Sequence, residues 1–189
     1  MTNLFKSLAL ASTLLAAPAI AQTLPAPVIV IVDMEEIIAT SVAGKQAQTE
    51  LKTRFDGIQA RLQSLRTQYG AEEQALLKTR PTAAGPAATA WETKARDLQT
   101  RKTKDEQDLA TRNQQFEASR QNVLRQINEG AQPIISTVMR ERGASIVLAE
   151  GATLQHTAAL DVTKDVVARL DKALPRVSAT PAAAPAAPR

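Results

Sequence analysis

The chain has 189 residues, no cysteine, one histidine and a formal net charge of +4. The absence of cysteine excludes disulfides and thiolate metal sites, and one histidine supplies too few ligands for a metal site of its own. Aromatic residues make up only 3% of the chain. Because aromatic side chains supply much of the buried area in compact cores, we expect a thin, extended core.

The N-terminus has the features of a secretory signal peptide. Lys6 supplies a positive charge, residues 8–17 form an apolar run, and residues 19–21 read Ala-Ile-Ala, an A-x-A cleavage site. A transmembrane anchor is the alternative, but the apolar run is shorter than the ~20 residues needed to cross a bilayer. We therefore expect cleavage after Ala21 and export of the mature chain to the periplasm.

Two apolar segments predict strands that meet in a small α/β body. Residues 28–32 are an unbroken β-branched run, typical of a strand buried on both faces, and residues 145–148 are a second predicted strand. A third strand is expected over residues 154–157. Since short isolated strands are unstable in water, the strands should pair and also drive oligomerisation. The residues assigned to this oligomerisation body are Val28, Val30, Ile31, Val32, Ile146, Val147 and Leu148.

The middle of the chain predicts a helical hairpin. Apolar residues are spaced alternately by four and three positions, as in a coiled coil, and Glu72 alone interrupts the first half. Residues 80–86 contain two prolines and a glycine, so the chain must turn there. An ordinary amphipathic helix is the alternative, which the strict spacing disfavours. The predicted seam consists of Leu51, Phe55, Ile58, Leu62, Leu65, Tyr69, Leu98, Leu109, Phe116 and Val123.

The second half of the hairpin and the chain that follows it carry several helix-breaking signals. Lys102 and Asp105 stand at seam positions, so we expect loose packing there. Pro133 predicts a kink or break, followed by a short helix that Gly143 ends. Asp161 is expected to cap a last helix, which Pro175 ends.

The predicted fold is mainly α with a small β body, and its parts follow one another along the chain. A signal peptide occupies residues 1–21, and residues 22–44 and 130–174 form the oligomerisation body. Residues 45–129 form the hairpin arm. The tail, residues 175–189, is rich in proline and alanine and is expected to be disordered.

Three segments, in this order, resemble the Skp/OmpH family of periplasmic chaperones. Residues 28–34, Val-Ile-Val-Ile-Val-Asp-Met, are similar to the family's opening strand; residues 133–148 resemble its helix-glycine-strand return; residues 161–167 resemble the start of its last helix. The resemblance implies a homotrimer whose hairpins surround a cavity and hold unfolded outer-membrane β-barrel proteins without ATP. The prolines of the tip and the Pro/Ala tail depart from the family pattern, and no matching lipopolysaccharide-binding motif is present.

No set of residues predicts catalysis or a cofactor. The carboxylate pairs Glu72-Glu73 and Asp105-Glu106 fall on solvated helices with no pocket to shift their pKa values. A glycine-rich phosphate loop is missing. His156 lies in a predicted strand, where a metal ligand would need partners. We expect a protein that is not an enzyme.

Positive charge is concentrated on the predicted arm. Residues 45–129 contain 15 Lys and Arg against 11 Asp and Glu, while the rest of the mature chain has 7 against 8. Nucleic-acid binding is disfavoured by the signal peptide and by the alternation of charges, and a merely solvated mixed-charge helix face remains open. We expect the field to attract acidic unfolded proteins or anionic lipid headgroups. The candidate client-binding residues are Arg54, Arg61, Lys94 and Arg101.

A different class of function, a non-enzymatic envelope adaptor that bridges two partners, is the alternative to a holdase chaperone. A bridging protein needs a specific apolar tip. The predicted tip consists of Thr, Ala, Gly and Pro, with Trp91 as the one large side chain nearby. This composition favours the holdase.

Overall fold

The computed structural model describes residues 26–180, so the predicted signal peptide and residues 181–189 lie outside the described residues. A short strand opens the described chain, long helices follow, and a second strand precedes the last helix. The elements in chain order are β1 (Ile29–Val32), α1 (Met34–Thr40), α2 (Val42–Lys78), α3 (Pro86–Glu141), β2 (Ile146–Ala149), a 3-10 turn (Glu150–Ala152) and α4 (Thr163–Ala173). Long helices with a small strand body confirm the predicted fold class.

The small sheet is built around β1. It pairs in parallel with β2, with Ile29 opposite Ile146 and Val32 opposite Ala149. On its other side, the Ile31 amide donates to the Leu160 carbonyl at 2.8 Å and the Ile31 carbonyl accepts from the Val162 amide at 3.0 Å. Val30, Ile31 and Val32 are therefore buried, because β2 pairs along one edge of β1 and residues 160–162 bond to Ile31 on the other, whereas Val28 at the start of the run is 45% exposed.

The third strand predicted over residues 154–157 is wrong. The chain after β2 enters a 3-10 turn and then runs irregularly, and the Leu154 side chain is fully exposed. The second edge of β1 is taken instead by a single bridge between Ile31 and Asp161. Residues 160–162 therefore occupy the edge of β1 that β2 leaves open, and residues 154–157 take no part in the sheet.

A sharp break without proline separates α1 from α2. The Asp33 carboxylate caps α1, accepting from the amides of Glu35 and Glu36 at 2.8 and 3.0 Å. Ser41 then leaves the helical conformation with ψ 152°, and its buried hydroxyl accepts from the Gly44 amide at 3.2 Å. Gly44 is needed because a Cβ there would overlap the Ile38 carbonyl oxygen. The break turns α1 back against the base of the molecule.

The helix α3 runs unbroken from Pro86 to Glu141, so the break predicted at Pro133 does not occur. Proline removes one helical hydrogen bond. Ala131 and Val138, on either side of it, are both buried, and this packing holds the segment in one helix. At 1.5 Å per residue, α3 is about 84 Å long. Gly143, with φ 62°, ends it as predicted.

The main apolar core lies where the hairpin arm joins the strands and α4. At Gly130, α4 comes so close that a Cβ would lie 2.8 Å from Leu174 Cδ2. A second, smaller cluster of Leu65, Tyr69 and Leu98 lies further out on the arm. The buried members of the main core are Val30, Val32, Ile37, Ala43, Ala47, Val123, Ile127, Val138, Val162, Val166, Leu170, Val177 and Ala179.

The first part of the tail is ordered, which contradicts the expected disorder for residues 176–180. Val177 and Ala179 are 6% and 1% exposed and join the main core. The Asn122 amide donates to the carbonyl of Thr180 at 2.7 Å. The prediction of disorder was based on composition alone. Composition does not show that apolar residues alternate in this segment, or that α3 supplies hydrogen-bond partners for its backbone.

We expect Gly44→Ala to lower the free energy of unfolding by about 1–3 kcal/mol, because the added methyl group has no space beside the Ile38 carbonyl. Gly57→Ala is the matched control. It lies inside α2 with nothing within 4 Å of the added atom, so it should raise stability by roughly 0.5–1 kcal/mol. Urea unfolding at one fixed protein concentration measures both. Equal effects of the two substitutions would contradict the close approach at Gly44.

Candidate functional site

The candidate site is the arm, in which α2 and α3 run antiparallel. Phe55 is the one predicted seam residue that is exposed, at 46%. Its ring centroid lies 5.8 Å from that of Phe116. Toward the tip, the Trp91 indole nitrogen donates to the Leu76 carbonyl at 2.8 Å. Among the predicted seam residues, Ile58, Leu65, Tyr69, Leu98 and Val123 are buried, and Leu51, Leu62, Leu109 and Phe116 are half-buried.

Charged groups fill the seam positions that were expected to be loosely packed. Asp105 accepts from the Tyr69 hydroxyl and from Arg61 Nη2, the latter at 3.0 Å. Lys102 pairs with Glu73 on the facing helix. The seam at these positions is therefore bonded across the two helices rather than left unfilled.

A bidentate ion pair also forms at Glu72, the one residue that interrupts the heptad spacing of α2. Arg101 donates from both terminal nitrogens to the two carboxylate oxygens of Glu72. The planar fork of arginine matches a carboxylate in this geometry. Because exposed ion pairs each contribute little stability, we assign these contacts mainly to fixing the register of α2 against α3.

Hydrogen bonding shifts the pKa values of these groups so that Asp105, Glu72 and Lys102 stay ionised at neutral pH while Tyr69 stays a neutral donor. The Tyr69 hydroxyl lowers the pKa of Asp105, and the same bond raises the pKa of Tyr69. The Arg101 guanidinium lowers the pKa of Glu72. Hydrogen bonding to Glu73 raises the pKa of Lys102. The register of the arm therefore depends on carboxylates that acid would neutralise.

The structure divides the four candidate client-binding residues into two kinds. Arg61 and Arg101 hold the two helices together. Arg54 and Lys94 have no carboxylate within 4 Å in residues 26–180. Sequence reasoning missed this division, because it depends on which residues face each other across the hairpin.

The positive excess of the arm resides in side chains without ion-pair partners. Across residues 45–129 the ion pairs remove equal numbers of cations and anions. In the described chain, the arm cations with no carboxylate within 4 Å are Lys45, Arg54, Arg66, Lys78, Arg80, Lys94 and Lys104. Arg80 instead lies over the Trp91 ring, 5.6 Å from its centroid. The other six can act on a charged partner.

Shallow grooves with apolar floors and charged rims follow the seam. One of about 310 Å³ contains Ile58 and Phe116, with Arg54 at its rim. Another of about 320 Å³ contains Leu62, Leu65 and Leu109. A third of about 470 Å³, toward the tip, contains Leu76 and Leu98. Lys94 lies at the rim of this third groove. Both candidate cations without an ion-pair partner therefore border apolar surface.

The strand body offers a second exposed surface. Of the residues assigned to it, Val30, Ile31 and Val32 are buried within the chain, and Val147 and Leu148 are half-buried. Val28 and Ile146 are 45% and 39% exposed. In the described part of the chain, the outer edge of β2 pairs with no strand.

His156 lies in the irregular chain after β2, not in a strand. Its Nε2 is 3.4 Å from a Glu150 carboxylate oxygen, and its Nδ1 is 3.3 Å from the Thr157 carbonyl. The Thr157 carbonyl and then Glu150 raise the pKa of this imidazole. Across residues 26–180, no cluster of three His, Asp or Glu side chains could hold a metal ion. Within that range no helix is both long and apolar enough to cross a membrane.

Comparison with known proteins agrees with this architecture. The sequence profile of the family described as "Outer membrane protein (OmpH-like)" matches residues 28–170. The chain belongs to the OmpH-like family. The match confirms the resemblance drawn from the three segments, and a chaperone role in general terms follows from it.

A solved structure shares the fold. The chain is similar to the crystal structure of a candidate outer membrane chaperone (OmpH-like) from Caulobacter crescentus CB15, with 26% identity and a TM-score of 0.70. The match covers 82% of this chain and 90% of the other. No curated protein sequence matches the chain. The OmpH-like fold thus extends over the arm and the body together.

Acid should loosen the arm. A carboxylate whose pKa is lowered in the folded protein stabilises it above the unfolded value of about 4, and this stabilisation is lost as pH falls through the lowered folded value. Asp105 and Glu72 are both of this kind. We expect the melting temperature, followed by circular dichroism, to fall between neutral pH and about pH 3. In the variant Asp105→Asn with Glu72→Gln the fall should be smaller; an equal fall would contradict this origin.

Proposed function

We propose that the protein is an ATP-independent periplasmic holdase that binds unfolded outer-membrane proteins and prevents their aggregation. The observation that carries the proposal is the arm, which presents apolar grooves with cationic rims along a narrow two-helix hairpin. Membership of the OmpH-like family supports a chaperone role. We propose no enzymatic activity and no cofactor.

The grooves suit a client that has no fixed shape. Phe55 and Leu77 are exposed on the arm, and half-buried Leu62 and Leu109 line a shallow groove. Each 100 Å² of apolar surface removed from water contributes about 2.5 kcal/mol. Several such contacts along an arm can hold an unfolded chain, while each is weak enough to be exchanged.

Charge adds a long-range attraction to these contacts. The cations without partners create a positive field that is screened over about 8 Å at physiological ionic strength. Arg54 and Lys94 are placed where an acidic client could reach the adjoining apolar floor. The same cations would also be attracted to anionic lipid headgroups. We propose no nucleic-acid partner.

We propose that three copies assemble through the strand body. The outer edge of β2 presents backbone donors and acceptors, which are a template for pairing with another chain. Val28 and Ile146 leave apolar surface beside that edge. The resemblance to the Skp/OmpH family implies a trimer whose arms surround a cavity. Export by the signal peptide predicted over residues 1–21 would place this assembly in the periplasm.

One feature of the tip favours the alternative, an adaptor that bridges two envelope partners. Leu77 is 67% exposed, and the Trp91 indole is held by its hydrogen bond to the Leu76 carbonyl, with Arg80 over its ring. An exposed apolar side chain on the tip could bind one specific partner. The adaptor is the reading to adopt if the chain fails to protect unfolded clients.

A urea-unfolded outer-membrane β-barrel protein, diluted into buffer, tests the holdase. We expect an equimolar amount of the assembled protein to suppress light scattering without nucleotide, and less so at high salt because of screening. The variant Arg54→Gln with Lys94→Gln should weaken capture. The variant Lys45→Gln with Lys104→Gln removes the same number of positive charges but none that borders a described groove. It should therefore weaken capture less than the first variant does.

Two outcomes would decide against parts of this proposal. Unchanged scattering with the wild-type protein would refute the holdase and leave the adaptor. Equal effects of the two charge variants would show that net charge alone matters and that the grooves do not. Arg61 and Arg101 are excluded from this test, because their loss would also disturb the arm.

Ile146→Asp should dissociate the assembly into monomers, because a buried, unpaired charge costs several kcal/mol. Ile31 would be a poor choice, since at 2% exposure it lies inside the protomer and its replacement would unfold the chain. Leu154→Asp is the control, because Leu154 is fully exposed outside the strands. Light scattering at micromolar concentration measures the mass. A wild-type monomer under these conditions would refute the proposed assembly.

A further inference from the structure

The ordered part of the tail binds to α3 through its backbone. The Gln126 amide makes a two-point contact with Ser178, accepting from the Ser178 amide at 3.0 Å and donating to the Ser178 carbonyl at 2.9 Å. The Asn122 amide donates to the carbonyls of Ser178 and Thr180 at 3.1 and 2.7 Å. In these four bonds no side chain of the tail takes part.

The Asn122 amide is held in the orientation that this binding needs. Its oxygen accepts from Arg125 Nη2 at 2.6 Å, which leaves its nitrogen directed at the tail. Arg125 in turn is paired with Glu129 one turn further along α3. Asn122 is itself 8% exposed. The side-chain amides of Asn122 and Gln126 thus form a preorganised binding site for an extended peptide backbone.

The side chains of the bound segment alternate. Val177 and Ala179 are buried in the main core, while Ser178 and Thr180 are exposed. The core they enter includes Ala47 of α2 and Val123 and Ile127 of α3. Asn122, Gln126 and the adjoining core residues thus form a further groove, separate from the three along the seam. This groove accepts an extended segment with small or β-branched apolar residues at every second position.

Strands of transmembrane β-barrels have this same alternation of apolar and polar residues. We propose that the groove beside Asn122 and Gln126 binds extended strand segments of unfolded outer-membrane clients, and that residues 177–180 occupy it in cis as a competing mimic. This inference rests on the proposed function for the identity of the client. Backbone recognition gives the groove tolerance for many client sequences.

The tether makes the tail an effective competitor. A short flexible connection gives an attached segment an effective concentration of the order of millimolar, and α4 ends only a few residues before the bound segment. The apparent affinity for a client is reduced by the fraction of time for which the tail fills the groove. A client strand of sufficient affinity, or present in several copies, would displace it.

Binding of a fluorescein-labelled peptide with four repeats of Val-Ser-Ala-Thr, followed by anisotropy, tests the proposal. The chain ended after Pro175 loses the bound segment, and the chain ended after Pro181 keeps it. We expect the first to bind the peptide about tenfold more tightly than the full mature chain, as for a groove that the tail fills nine-tenths of the time. The second should bind like the full chain.

Substitutions in the full mature chain provide an independent check that removes no residues. Ser178→Pro eliminates the amide that Gln126 accepts from, so it should tighten peptide binding. Ser178→Ala retains that amide and should not. Adding Asn122→Ala and Gln126→Ala to the chain ended after Pro175 should abolish the tenfold gain. Circular dichroism verifies that each variant is folded.

The outcomes separate this inference from the holdase itself. If the full chain suppresses aggregation but the two shortened chains bind the peptide equally, the groove inference is overturned and the holdase stands. If the full chain does not suppress aggregation while removal of residues 176–189 tightens peptide binding, the groove is established and the holdase is overturned. Loss of peptide binding on removing those residues would also overturn the inference, because the tail would then be part of the site.

Discussion

The constraint on which the structure depends is that one helix, α3, belongs to both the arm and the body. Its N-terminal part pairs with α2, and its C-terminal part packs against α4 and leads into β2. Continuity through Pro133 requires burial on both sides of the proline, which Ala131 and Val138 provide. The direction of the arm is therefore fixed by the same side chains that form the main core.

Local signals in the sequence predicted the elements whose causes are local. The β-branched run of residues 28–32, the heptad spacing and the glycine at 143 each act over a few neighbouring residues, and the structure has the strand, the hairpin and the helix end there. Tertiary packing decided the rest. Pro133 did not end α3, residues 154–157 took no part in the sheet, and buried Val177 and Ala179 ordered a segment whose composition indicated disorder.

The candidate site was less predictable because its properties depend on register. Arg54 and Arg61 look alike in the sequence, but only Arg61 faces a carboxylate, Asp105, on the antiparallel helix. A charged residue at a seam position weakens the packing of the two helices only if no opposite charge faces it on the other helix. In the register that the structure has, Arg61 and Arg101 form ion pairs that align the two helices. The positive electrostatic field of the arm derives from cations that are unpaired in the described chain, such as Arg54 and Lys94.

Packing changes along the arm in a way that bears on the proposed activity. At the root, Val123 and Ile127 lie in the main core and the tail covers the adjoining face. Further out, one small apolar cluster lies among exposed ion pairs that each contribute little stability. Weakly packed helices open at small free-energy cost. In the proposed holdase, a firm root would fix the position of the arm, and an adaptable outer arm would fit clients of different shape. Exchange of many weak contacts would then release those clients without nucleotide.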